Sequence, residues 1–299
     1  MGTAGIPSEH SLNTVIFATD FSLCSTNAGH YAALIARQFD ADLLICHAFE
    51  LSQPAMEVEA ETEGSTTAKS EQRKDNEAAL RETADRFRDG ARCVTPVLLE
   101  GDPREKVPEL AYTLAPSYIV LGTEGRGRIG RGLIGSVAEG ILRRASVPTF
   151  TVGPRVPSYE HGSKPIRRIL YATGLSPAAA HAAAHAAAIA RASQAELHVL
   201  HVIHPEDVED EKRMGEIRSQ FGTIIENIAQ DHAERIINPA GFVEIGNAYG
   251  QILHHVREFS ADLLVLGVRK TSHLWLEARR SGAFQIIAEA PCPVMTIVR

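Results

Sequence analysis

The chain is a duplication, and that constrains its fold more than any other feature. Laid over one another without a gap, Val15–Phe49 (VIFATDFSLCSTNAGHYAALIARQFDADLLICHAF) and Ile169–Ile203 (ILYATGLSPAAAHAAAHAAAIARASQAELHVLHVI) are identical at about a third of positions. The shared positions include an A-T-x-x-S turn, an I-A-R helix end and the pair His47 and His201. The ends of the halves match as well. YIVLG ending at Gly122 parallels LLVLG ending at Gly267, and SVPTFTVG near Val152 parallels APCPVMTIV near Val298. Two copies of one domain are expected, residues 1–154 and 155–299, with a Pro-, Gly- and Ser-bearing linker over Arg155–Lys164. A length of 299 residues leaves each copy enough chain for its own core.

Within each copy, strand and helix signals alternate. Val15–Ala18 is a short apolar run of strand formers, and Ser25–Phe39 has an apolar face built on Ala28, Ala32, Leu34 and Ile35. Leu43–Phe49 reads as a strand, Ser52–Ser70 as a polar surface loop, Glu71–Arg88 as an amphipathic helix and Val94–Glu100 as a third strand. Helix Arg104–Leu114, strand Tyr118–Gly122, helix Ser136–Arg144 and strand Thr149–Val152 complete the copy. The second copy follows the same order, with one long helical region near Val208–Ile237. This alternation predicts two tandem α/β domains with doubly wound parallel sheets. In such sheets ligands bind at the carboxyl ends of the strands where the strand order reverses, here the loops after the first and fourth strands.

Composition removes several function classes. A formal charge of −7 argues against a general nucleic-acid binder, which needs a basic footprint. No apolar run reaches bilayer length, and Met1–Asn13 lacks the basic-then-apolar pattern of a secretion signal. Cys24, Cys46, Cys93 and Cys292 are scattered and form no C-x-x-C pair, so they read as reduced thiols in a cytoplasmic protein.

The chemistry-bearing segment follows the fourth strand: LGTEGRGRIGRGLIGSVAEGIL, Leu121–Leu142. Gly122 and Gly125 would let backbone approach a ligand and permit positive φ. Arg126, Arg128 and Arg131 make the loop basic, and Gly135–Ser136 opens a helix whose unpaired N–H groups suit an anion. The loop is not a Walker motif, because no G-K-[ST] follows it.

The G-x2-G-x9-G-S spacing after IVLG resembles the ATP-binding signature of the universal stress protein family, as do V-I-F-A-T-D-F-S, A-D-L-L-I-C-H-A and E-G-D-P-R-E at Glu100–Glu105. The resemblance covers nearly the whole chain, once per half. It implies a Rossmann-like, adenine-nucleotide-binding fold whose last strand pairs across a dimer, which a tandem chain can satisfy internally as a pseudo-dimer. It also implies that Ala18, Thr19 and Asp20 close the first strand against adenine and ribose, with Ala48 on the adenine. Leu121 and Gly122 would line the ribose, and Gly125, Gly135, Ser136 and Val137 the phosphates; the basic loop adds Arg126 as a candidate for the phosphate tail. The implied ligand is ATP or another adenine nucleotide with Mg²⁺. Plainer roles stand beside these: Asp20 as a turn cap, Ser136 as a helix N-cap and the arginines as solvated loop charges.

The second half departs from the signature. Gly174 stands where Asp20 does, Lys270 and Arg280 replace the second and third glycines, and Ser281 alone persists. This half is not expected to bind ATP in the family manner. His181 and His185 lie four apart on one helix face, spacing that could serve zinc only with further ligands, and they read as surface or partner-facing residues. His198, His201, His254 and His255 read as ordinary placements. The expectation is a nucleotide-dependent stress-response regulator, partnered by a further copy of itself or by a regulated protein. A slow ATP hydrolase or nucleotidyl transferase, and a nucleotide-free scaffold, are the alternatives; the nearest carboxylate to the loop is Glu124.

Overall fold

The computed structural model describes residues 12–50, 63–125, 134–158, 165–175, 177–230, 239–268 and 282–298. The first half runs β1 (Thr14–Ala18), α1 (Leu23–Gln38), β2 (Asp42–Phe49), α2 (Glu63–Arg86), β3 (Val94–Glu100), α3 (Pro103–Thr113), β4 (Ser117–Gly122), α4 (Ser136–Arg144) and β5 (Thr149–Val152). The second runs β6 (Arg168–Ala172), α5 (Pro177–Ser193), β7 (Glu196–Ile203), α6 (Glu211–Gln230), β8 (Ala240–Ile245), α7 (Ala248–Glu258), β9 (Leu263–Val268), α8 (Ala283–Glu289) and β10 (Val294–Val298).

The strands form a ten-stranded sheet in the order β3-β2-β1-β4-β5-β10-β9-β6-β7-β8. Each half is a doubly wound parallel sheet, and the strand order reverses between β1 and β4. The halves meet through β5 and β10, which pair antiparallel with Phe150 opposite Met295. The chain is thus its own pseudo-dimer.

Strand alternation sets the two core layers. Val15 and Phe17 of β1 face the layer that contains residues of α1, α2, α5 and α6. Ile16 faces the layer that contains residues of α3, α4, α7 and α8. Both layers run without a break through the two halves. Alanines spaced by four, Ala28, Ala32 and Ala36 in α1 and Ala182, Ala186 and Ala190 in α5, are all buried. Their small side chains let each helix lie close on the sheet.

One expectation needs correction and two are made more exact. α2 begins at Glu63, so residues 63–70 extend a helix rather than a surface loop. That stretch contains no proline, and the apolar face that anchors the helix, with Leu80 and Ala84, lies downstream. The part of the loop at 51–62 lies outside the described residues. The long helical region of the second half is the helix Glu211–Gln230 after a short 3₁₀ turn at Pro205–Asp207, and 231–238 lies outside the described residues. The start of the linker packs on the fold: Val156 is buried, and Asn27 Nδ2 donates to the Pro157 carbonyl at 3.3 Å.

Continuous core layers predict one cooperative unfolding transition for both halves. Phe150→Ala, at the seam, should cost about 3–5 kcal/mol and lower the midpoint of both halves together. Denaturant unfolding followed by hydrogen exchange checks this; loss of one half alone would mean that the seam does not couple them.

Candidate functional site

The turn after β1 is fixed by its own polar side chains. Ser22 caps α1, accepting from Ser25 N–H at 3.1 Å. Thr19 Oγ1 accepts from Phe21 N–H at 3.0 Å and lies 3.0 Å from Ser25 Oγ. Asp20 Oδ1 accepts from Ser22 N–H at 3.0 Å. Phe21 is held at φ 61, a conformation that costs a side-chain-bearing residue free energy. His47 Nδ1 lies 2.7 Å from the Thr19 carbonyl. A carbonyl only accepts, so Nδ1–H donates and the tautomer is set.

The same frame recurs in the second half. Leu175 N–H donates to Thr173 Oγ1 at 3.3 Å, Leu175 has φ 51, and His201 Nδ1 lies 2.9 Å from the Thr173 carbonyl. Burial holds His201 below the ordinary histidine range. What the second half lacks is the carboxylate, because Gly174 replaces Asp20.

The glycine loop has a tied neck. Gly135 N–H donates to the Thr123 carbonyl at 2.7 Å, joining the end of β4 to the start of α4. Gly135 takes the N-cap position of α4 and no side chain caps it. The first helical bond runs from Glu139 N–H to the Gly135 carbonyl, so the N–H groups of Ser136, Val137 and Ala138 have no helical acceptor. Ser136 is therefore the first helical residue and not the cap.

The glycines are needed for proximity. The positive-φ glycines among the described residues are Gly101, Gly246 and Gly282, so Gly122 and Gly125 do not use the conformation that the sequence suggested. A Cβ on Gly122 would lie 3.0 Å from Cys24 Sγ and 3.1 Å from Ser25 N, against the start of α1. A Cβ on Gly125 would lie 3.0 Å from Asp20 Oδ2. Asp20 thus uses one oxygen to cap its turn and turns the other toward the glycine loop.

Between these elements lies a cavity of about 450 Å³. Its apolar walls come from Ala18, Cys46, Ala48, Leu121, Pro103, Val107, Ala138, Val137 and Ile141. Its polar rim is Thr19, Asp20, Ser25, His47, Thr123, Glu124 and Ser136, with the backbone of Gly122, Gly125 and Gly135. Every candidate named from the sequence lines this cavity except Arg126, which, with Arg128 and Arg131, lies outside the described residues. Among the described lining residues there is no lysine or arginine, while Asp20 and Glu124 bring two carboxylates. Their hard oxygens, with Ser136 Oγ, suit a Mg²⁺ ion. Burial pushes the Cys46 thiol up to about 12, so it acts as an apolar wall.

Sequence reasoning did not select His47, Ser25, Pro103 or Val107. His47 had left a trace as a repeated histidine; Pro103 and Val107 belong to α3, which reaches the site only through the sheet's crossover.

Comparison with known proteins agrees with this architecture. The sequence model of the universal stress protein family matches residues 12–153 and again 165–298. A universal stress protein of Methanocaldococcus jannaschii is 30% identical over 145 residues, covering 48% of this chain and 84% of that relative. A universal stress protein structure from Archaeoglobus fulgidus superposes with a TM-score of 0.70 at 19% identity, covering 98% of each chain. A universal stress protein structure from Pseudomonas aeruginosa gives 0.60 at 15% identity, covering 97% of this chain and 94% of that one. The chain belongs to the universal stress protein family and carries its domain twice.

Proposed function

We propose that the first half binds ATP with Mg²⁺ and that the chain is a cytoplasmic, nucleotide-dependent regulator of a stress response. The observation that carries this reading is the convergence of motif residues from β1, β2, β4 and α4 on one cavity at the strand-order reversal. Its volume suits a nucleotide. The apolar wall of Ala48, Leu121, Val107 and Ile141 would take the flat base. The uncapped N–H groups of α4 would take phosphate oxygens, helped by the positive end of the helix dipole. Mg²⁺ would supply positive charge to the phosphates, held by Asp20 and Ser136 oxygens.

Other observations bear on the setting. The four cysteines are free thiols, as a reducing compartment would keep them. No helix among the described residues is long and apolar enough to cross a membrane. The second half, without Asp20's counterpart, serves in this reading as the structural partner of the first. A further copy of the chain or a regulated protein would read the nucleotide state.

A second reading is slow ATP hydrolysis or nucleotidyl transfer, favoured by Glu124, a carboxylate that lines the cavity beside the glycine loop. Phosphate release that disappears in Glu124→Gln would favour it.

Native mass spectrometry of the intact chain with MgATP should find one nucleotide per chain. Two would mean that the second half also binds, and none would favour the scaffold reading. Asp20→Asn keeps an oxygen for the Ser22 N–H but removes the charge. It should weaken MgATP binding about tenfold to a hundredfold in calorimetry with little change in Tm. Unchanged affinity would leave Asp20 as a turn cap alone. Gly125→Ala, whose methyl would press on Asp20 Oδ2, should weaken binding in the same direction and spare the fold.

A further inference from the structure

A second difference between the halves lies at the outer edge of the sheet. In the first half, Leu44 of β2, Val97 of β3, Leu110 of α3 and Leu114 after it pack together on one core layer. The repeat places His198, Phe242, His255 and Phe259 at these four positions. Two aliphatic side chains have become histidines, and two have become aromatic rings around them.

The four rings form a stack. His198 lies on Phe259 with centroids 3.4 Å apart and 15° between planes, and against Phe242 at 4.6 Å. His255 lies 4.8 Å from Phe242 and 5.8 Å from His198. His198 Nε2 is 3.1 Å from Glu196 Oε1, so Nε2–H donates to the carboxylate and Nδ1 keeps its lone pair. Nδ1 is buried and has no hydrogen-bond partner. A proton placed there would be a buried donor with nothing to accept it.

We propose that the His198–His255 stack is an acid-released clasp: neutral, it holds β8 and α7 to the outer edge of the second half, and protonated, it lets them go. Both rings bridge elements at the sheet's edge, where β8 has a single strand neighbour, β7. The charged and titratable groups around the pair are Glu196 on β7, Glu244 on β8 and His254 on α7, with Arg168 on β6 opposite Glu196. On β6 the register neighbour of His198 is Leu170, which carries no charge. Burial, and then His198, holds His255 below the ordinary histidine value, against a smaller opposing pull from Glu244. The unfolded ring therefore takes its proton near pH 6.5 before the folded ring does. The stability that the neutral stack contributes is complete above that pH and is lost as the pH falls below it.

This device does not depend on nucleotide binding. The test is hydrogen exchange on the intact chain between about pH 7.5 and about pH 5.5, corrected for intrinsic exchange rates. Opening of Ala240–Ile245 and Ala248–Glu258 should stay level down to about pH 6.5 and below it increase by up to about tenfold per pH unit for each coupled proton, while Thr14–Ala18 and Asp42–Phe49 keep their protection. The variant His198→Leu/His255→Leu, which restores the first half's residues, should lose that excess opening. Acid opening that persists in the variant, or that spreads equally through both halves, would overturn the proposal, since His201 or the His181–His185 pair would then carry it. If the variant does not fold, the His255 ring titration in the native chain decides. A midpoint below 6.5 that tracks the opening supports the clasp, and one at or above 6.5 sinks it.

Discussion

The antiparallel pairing of β5 with β10 is the contact on which the rest of the molecule depends. It spans three register pairs, from Thr149 opposite Thr296 to Thr151 opposite Val294. Buried hydroxyls reinforce it, Thr151 Oγ1 donating to the Val294 carbonyl at 3.0 Å. A parallel sheet ending at β5 would expose an unpaired apolar edge, a liability that proteins avoid. Joining two such edges removes both and merges four helix-covered faces into two continuous layers. The candidate site is built directly on this seam. Thr123 N–H donates to the Val152 carbonyl at 3.1 Å, and Cys24 Sγ reaches the same carbonyl at 3.4 Å. One residue on, a Cβ at Gly153 would lie 3.2 Å from the Ile287 carbonyl in α8 of the other half. The neck of the glycine loop and the second half therefore press on the same short stretch of backbone.

Duplication separates what the fold requires from what a ligand requires. Positive φ recurs at Phe21 and Leu175, at Asp40 and Gln194, and at Gly101 and Gly246. Such conformations cost about 1–3 kcal/mol in side-chain-bearing residues and persist where the surroundings impose them. Since the second half keeps them without the carboxylate, the turn after the first strand belongs to the architecture. The histidine that donates to the Thr19 or Thr173 carbonyl belongs to it as well. Asp20 does not. It is an addition to a frame that closes without it.

The sequence was most legible where one force dominates. β3, α4 and β5 begin and end where their patterns predicted, because strong apolar runs meet Gly, Pro or Asp punctuation. The pseudo-dimer was implied by the family resemblance, and the cavity's position followed from the rule for parallel sheets. Local chemistry was less legible. The spacing of Gly122, Gly125 and Gly135 pointed to the cavity's rim for a reason that only packing could correct, the approach of Cys24, Asp20 and Thr123. Ser136 looked like a cap because serine favours that position, yet the bond from Gly135 N–H to the Thr123 carbonyl moves the cap back by one residue. The start of α2 was misplaced because a polar helical turn carries no apolar period to read. The histidine stack was invisible, since four residues on three elements come together only through β7–β8 pairing and the α7 crossover.

The decay of the signature in the second half is not forced by packing. A Cβ on Gly174 would meet nothing within 4 Å, so the fold would accept an aspartate there without strain. Its absence has to be weighed with the loop that follows β9. At the four positions that correspond to Asp20, Glu124, Gly125 and Gly135, the second half carries Gly174, Arg269, Lys270 and Arg280. Two negative charges have given way to three positive ones at these aligned positions. Electrostatics makes these two patterns alternatives. The two carboxylates on the first half's rim, Asp20 and Glu124, would repel a phosphate and attract a cation. In the second half the aligned sequence carries three cations, which favour an anion and disfavour a metal ion. The sign of the charge at these positions varies independently of the shared frame.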